Sequence, residues 1–113
     1  MSDVTIADFN LDGRPDLAAV ALSSANLLVF LGNGSGGFSL AAGSPISLSN
    51  GPVNVVAGDL NRNGIPDLAV VKTGGAGNGQ LVVYLGNGSG GFTEAAASPF
   101  ALGVNPQGPA LLD

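Results

Sequence analysis

An internal repeat constrains this chain more than any other feature, because a unit that recurs must fold the same way twice and pack against its own copy. The window D-F-N-L-D-G-R-P-D-L-A, Asp8 to Ala18, returns as D-L-N-R-N-G-I-P-D-L-A, Asp59 to Ala69, at an offset of 51 residues. L-G-N-G-S-G-G-F, Leu31 to Phe38, returns unchanged at Leu85 to Phe92, now offset by 54. The three extra residues fall in Thr73 to Gln80, set against Ser23 to Asn26, and their glycines read as a longer hairpin loop. Gly51 to Asp59 is echoed by Asn105 to Asp113, and Ser2 to Asp8 matches the end of the same segment. The expected organisation is a first repeat over 1–50, a second over 51–104, and the partial first strand of a third over 105–113.

Within each repeat the apolar runs are short and rich in β-branched residues, which favours strands over helical turns. Val4 to Ala7 and Val53 to Ala57 precede the acidic windows. Leu17 to Leu22 and Leu68 to Val71 follow them. Leu27 to Leu31 and Leu81 to Leu85 run into the Asn-Gly turns, and Phe38 or Phe92 opens a weaker fourth strand. With 19 Gly and 7 Pro among 113 residues, 45% of them apolar, the composition also suits many short strands joined by turns. Four strands per repeat of about 50 residues match the blade of a β-propeller. The fold class expected is all-β: two four-stranded antiparallel blades plus one surplus strand.

The acidic windows carry the candidate site. Five of the eight acidic residues, Asp8, Asp12, Asp16, Asp59 and Asp67, fall within them. A solubilising surface would spread its charge, whereas a cation site has to concentrate it. In D-x-N-x-D-G-x-x-D the oxygen-bearing side chains occupy loop positions 1, 3, 5 and 9, with Gly at position 6. A hard cation such as calcium takes six to eight oxygens, and the chain surrounds it only by bending sharply, which Gly13 and Gly64 permit. The expected ligands are the side chains of Asp8, Asn10, Asp12 and Asp16 in the first loop, and of Asp59, Asn61, Asn63 and Asp67 in the second. The backbone carbonyls of Arg14 and Ile65, at position 7, complete each ring. The competing reading is an ordinary Asx-turn, in which Asp and Asn cap their own backbone. Recurrence of the same loop between the same strands favours the cation. An EF-hand is excluded by Ala19 and Val70 at position 12, where its bidentate Glu would stand.

The order strand, D-x-N-x-D-G-x-x-D-L-A, strand, L-G-N-G-S-G-G-F resembles the FG-GAP or VCBS repeats of integrin α-chain propellers and of many bacterial surface and secreted proteins. The resemblance covers nearly the whole chain. It implies a propeller blade with a calcium ion between its first two strands, where the ion stiffens structure and does no chemistry, and it implies an extracellular or cell-surface setting. Asn63 departs from the more acidic form of the motif and leaves the second loop one carboxylate short.

Other functions are poorly provided for. There is no His and no Cys, so the usual nucleophile–base pairs are missing and no enzyme activity is expected. The only basic residues are Arg14, Arg62 and Lys72, too few to follow a phosphate backbone or hold an anionic bilayer. Neither a signal-peptide pattern nor a long apolar run is present, so no membrane insertion is expected. The Gly-rich turns lack the Lys and helix of a phosphate loop. The N-G-S triplets at Asn33 and Asn87 match a glycosylation acceptor by spacing, but they lie in tight turns.

Two expectations concern partners. Carbohydrate binding between blades, as in some similar fungal lectins, is the alternative function; it is disfavoured by the absence of Trp and by a single Tyr and five Phe, which read as core residues at Phe30, Phe38, Tyr84 and Phe92. Two blades also leave two apolar faces bare, so the chain is expected to complete a propeller as a homo-oligomer, with three copies and six blades favoured.

Overall fold

A computed structural model describes residues 2–21, 24–48, 51–73, 79–96 and 98–101 of the chain. Every regular element among them is a β-strand, and the strands form two antiparallel sheets, one per repeat. The first runs β1 (Ser2–Ala7), β2 (Asp16–Ala21), β3 (Asn26–Gly32), β4 (Phe38–Leu40), with β5 (Ile46–Ser47) also on β3. The second repeats it with β6 (Pro52–Gly58), β7 (Asp67–Thr73), β8 (Gly79–Gly86), β9 (Phe92–Glu94) and β10 (Phe100–Ala101). The surplus segment 105–113 and most of the inserted loop, residues 74–78, lie outside the described residues, as does Leu22.

Side-chain alternation explains the sheets. Along β2 the pattern D-L-A-A-V-A alternates buried and half-buried positions, so that Asp16, Ala18 and Val20 point one way. Their neighbours on β3, Leu27 and Val29, are likewise buried, and Leu68 and Val70 repeat the arrangement in the second sheet. These side chains join one cluster that also takes in Phe9, Val55 and Tyr84, so the two repeats share a single core. Each fully buried Val or Leu contributes about 1.5–3 kcal/mol relative to exposure, an amount neither two-faced sheet could gain alone.

The fourth strand departs from the expectation of one continuous, weak strand: it is broken in two. The edge follows β3 through Phe30, Leu31 and Gly32, leaves at Ala41, and returns at Ile46 opposite Leu27. Proline cannot donate to a ladder, and Pro45 stands at the break, after a cis peptide bond from Ser44. The Val29 amide donates instead to Ser44 Oγ at 3.0 Å. The second repeat does the same, with the Val83 amide donating to Ser98 Oγ at 2.9 Å before cis Pro99.

Specific polar bonds fix one sheet against the other. Asp3 Oδ2, on β1, accepts from the Val55 amide at 3.0 Å and from Asn54 Nδ2 at 3.3 Å, both on β6. Lys72 reaches from β7 to donate through Nζ to the Leu48 carbonyl, which satisfies an ammonium that is otherwise buried.

Candidate metal centre

The two acidic loops occupy equivalent places, Asp8 to Pro15 between β1 and β2 and Asp59 to Pro66 between β6 and β7. Their sharp bend is built from left-handed residues. Leu11 and Arg62 each have φ 59°, and Gly13 and Gly64 each have φ 82°. Glycine adopts that conformation without the steric cost other residues meet.

Carboxylates organise the loop from within. Asp8 Oδ1 accepts from the Asp12 amide at 3.1 Å and its Oδ2 from the Gly13 amide at 2.8 Å. Asp59 accepts from the Asn63 and Gly64 amides at the same two distances. At position 5, Asp12 Oδ1 accepts from the Arg14 amide at 2.9 Å and Asn63 Oδ1 from the Ile65 amide at 3.0 Å, each closing an Asx-turn. The Asx-turn reading of the sequence is therefore correct as local structure. The turn does not by itself exclude a cation, since a carboxylate has two oxygens and more acceptor sites than one turn bond uses.

The last acidic residue of each loop differs from the rest. Asp16 and Asp67 open β2 and β7 and are fully buried. Asp16 Oδ2 accepts from the Phe9 amide at 2.8 Å and the Asn10 amide at 3.4 Å, while Oδ1 accepts from the Gly32 amide at 2.8 Å. Asp67 bonds the Leu60 amide at 2.9 Å and the Gly86 amide at 2.8 Å. Each carboxylate thus ties its loop to the end of the third strand of its sheet, and Asp16 also faces Asp8 and Asp12.

Gly32 and Gly86 complete that tie, whereas the sequence places them simply in hairpin turns. A methyl group on either would stand 2.2 Å from a loop carbonyl oxygen, that of Pro15 or Pro66. Only glycine lets the loop lie this close. The signal was present, because the first Gly of L-G-N-G-S-G-G-F recurs unchanged, but its partner is distant in sequence. The Asn that follows explains the rest of the motif. Asn33 Oδ1 accepts from the Ser35 and Gly37 amides at 2.8 and 3.0 Å, and Asn87 repeats the pattern in the second turn.

The first loop brings its predicted side chains together. One oxygen from each of Asp8, Asp12 and Asp16 lies within 4.8 Å of the others. Asn10 sits among them: with Nδ2 turned inward it donates to Asp8 Oδ1 at 3.1 Å, Asp12 Oδ1 at 2.9 Å and Asp16 Oδ2 at 3.1 Å. With Oδ1 turned inward instead, four oxygens would face one another, an arrangement that a shared cation would relieve. Asn10 thus stands at the centre of the acidic group, and with its Oδ1 inward the set would be oxygens alone, as a hard cation requires. In the second loop Asp59, Asn61 and Asn63 are exposed and Asp67 is buried, with two carboxylates in place of three. Arg14 and Ile65 occupy position 7 in their loops.

Comparison with known proteins adds one finding. The family model described as FG-GAP-like repeat matches residues 8–70, from the first acid of the first loop through the second loop and into β7. No curated protein and no solved structure matches the chain.

Proposed function

The chain belongs to the FG-GAP-like repeat family, and on that premise we propose that it is a non-catalytic, calcium-stiffened module of a β-propeller that works outside the cell. The observation that carries the calcium reading is the convergence of Asp8, Asp12 and Asp16 oxygens around the Asn10 amide. The ion would be held by those four side chains and the Arg14 carbonyl, and in the second loop by Asp59, Asn61, Asn63, Asp67 and the Ile65 carbonyl. It would supply no chemistry beyond cancelling the mutual repulsion of carboxylates that the fold already holds close together. No helix among the described residues is long and apolar enough to cross a membrane.

Thermal unfolding in calcium and in EDTA tests the reading. An extracellular-type site with Kd near 0.1–1 mM gains about 1.4–2.7 kcal/mol in 10 mM calcium. For a chain of this size that raises Tm by about 5–10 °C. Asp12→Ala removes an exposed ligand and should shrink the shift without lowering Tm in EDTA by a comparable amount. Equal Tm values in calcium and EDTA would overturn the proposal.

For the carbohydrate alternative the described residues offer a cleft of about 190 Å³, lined by Ser44, Asn87, Phe92 and Thr93 among others. Small-molecule sites start near 300 Å³, and the Phe92 ring is engaged by Phe9. A glycan array run with calcium and with EDTA separates the two readings, and binding in either would favour the lectin.

A further inference from the structure

The junction between the two repeats shows how one blade seats on the next, and residues equivalent to each half of that junction are exposed elsewhere among the described residues. At the junction Phe9 of the first loop is 1% exposed and meets the Phe92 ring edge-on, at a centroid distance of 5.4 Å. Leu11 lies over the second glycine turn, 3.3 Å from where a Gly88 side chain would begin. Val55 of β6 is 3% exposed beneath the first sheet.

The equivalents of these residues are found by the repeat offsets of 51 and 54. Leu60 stands where Phe9 does and is 38% exposed; Phe38 stands where Phe92 does and is 47% exposed. Val4 stands where Val55 does and is 54% exposed. Phe38 was expected in the core, and its exposure has a plain cause: the residue that covers its counterpart comes from the preceding blade. The second repeat therefore exposes the covering face, and the first repeat exposes the face to be covered.

We propose that these two faces bind each other between copies of this chain, head to tail, so that Leu60 of one copy seats on Phe38 of the next. The chemistry of the occupant follows from continuity with the internal junction, which displays the same surfaces already packed. The polar lock has an equivalent too. Asn54 takes the place of Asp3, so its Oδ1 is positioned to accept from the amide of Val4 of the partner subunit. A heterologous contact of this kind closes into a ring where the rotation fits. Three copies would supply six blades, within the four to eight in which propellers close.

The junction between copies is weaker than the internal one at two positions. Ala21 replaces Lys72, removing the bond to a Leu48-type carbonyl. Arg62 replaces Leu11, and the turn it would cover already holds the Arg14 side chain, 3.2 Å from where a Gly34 side chain would begin. Two guanidinium groups then meet where Leu11 and Ile65 meet in the internal junction. Association is accordingly concentration-dependent, and Arg62→Leu should tighten it several-fold.

This inference rests on the propeller-type repeat reading and not on calcium, so the test is run in calcium and reads mass. Light scattering of the full chain at 100 μM should report a multiple of the 11.0 kDa chain mass. Phe38→Asp spoils one face and Leu60→Asp the other, and both residues are exposed, so each variant should fold by circular dichroism yet run as a monomer. Mixed in equal amounts they retain one good face each and should form a particle of two chains and no larger. Phe100, which stands where Ile46 does and is 43% exposed, lies on the same face as Leu60, so Val4→Lys and Phe100→Lys repeat the comparison should either first variant fail to fold. A monomeric wild type, variants that keep the wild-type mass, or a mixture that stays monomeric would each overturn the proposal.

Discussion

The buried carboxylate of Asp16 accepts the Gly32 amide hydrogen at 2.8 Å, joining the acidic loop to the end of β3, and Asp67 does the same with Gly86 at 2.8 Å. This pairing places the candidate metal loop on the sheet, so the site inherits the rigidity of the strands beside it. It also separates two roles that one motif combines. Asp8, Asn10 and Asp12 serve the loop interior, whereas Asp16 serves both interior and scaffold.

Gly32→Ala tests the close approach. The added methyl would lie 2.2 Å from the Pro15 carbonyl oxygen, backbone that cannot move without displacing the loop. Overpacking of this kind should cost about 3 kcal/mol in urea unfolding. Gly36→Ala meets open space but has φ 90°, so only the left-handed penalty applies, about 1 kcal/mol. Equal costs for the two substitutions would contradict the close approach of the loop as the reason for Gly32.

Tyr84 predicts an alkaline limit to stability. Burial among the core side chains pushes its hydroxyl pKa above the ordinary 10.0, and the nearby Glu94 carboxylate adds to the shift. The folded state then holds the phenolic proton more tightly than the unfolded state. Its contribution is complete below pH 10 and is lost as pH rises through the folded-state pKa. Because Tyr84 is the sole tyrosine, absorbance at 295 nm reads it directly, and Tyr84→Phe should remove that step from the pH dependence of unfolding. Titration at the ordinary value in the folded protein would contradict the burial argument.

The inequality of the loops gives a further test. Affinity in similar calcium loops rises with the number of carboxylates. Asn63→Asp gives the second loop the charge of the first and should tighten its calcium binding several-fold. The same backbone bond to the Ile65 amide is available to the new carboxylate, so the loop should keep its shape. Unchanged or weaker binding would mean that loop geometry outweighs charge.

Much of this fold was legible because repetition makes local signals self-checking. Strand positions, the bend at Gly13 and Gly64, and the grouping of Asp8, Asn10, Asp12 and Asp16 all follow from residue type and spacing. What escaped depends on contacts distant in sequence. Gly32 reads as an ordinary turn residue until the Pro15 carbonyl is placed against it. Ser44 and Ser98 carry no distinguishing signal in the sequence, although their hydroxyls fill a gap in the outer ladder. Phe38 reads as a core residue because aromatic side chains are usually buried, and its exposure follows only from where the repeats meet.

Calcium titration of the chelator-treated protein by calorimetry tests the central claim most directly. The account predicts about two ions per chain, the tighter site with Kd on the order of 0.1–1 mM, and loss of that tighter site alone in Asp12→Ala. A folded protein that gives no calcium-dependent heat at millimolar concentration would contradict it, leaving the acidic loops as Asx-turns that serve the fold and nothing else.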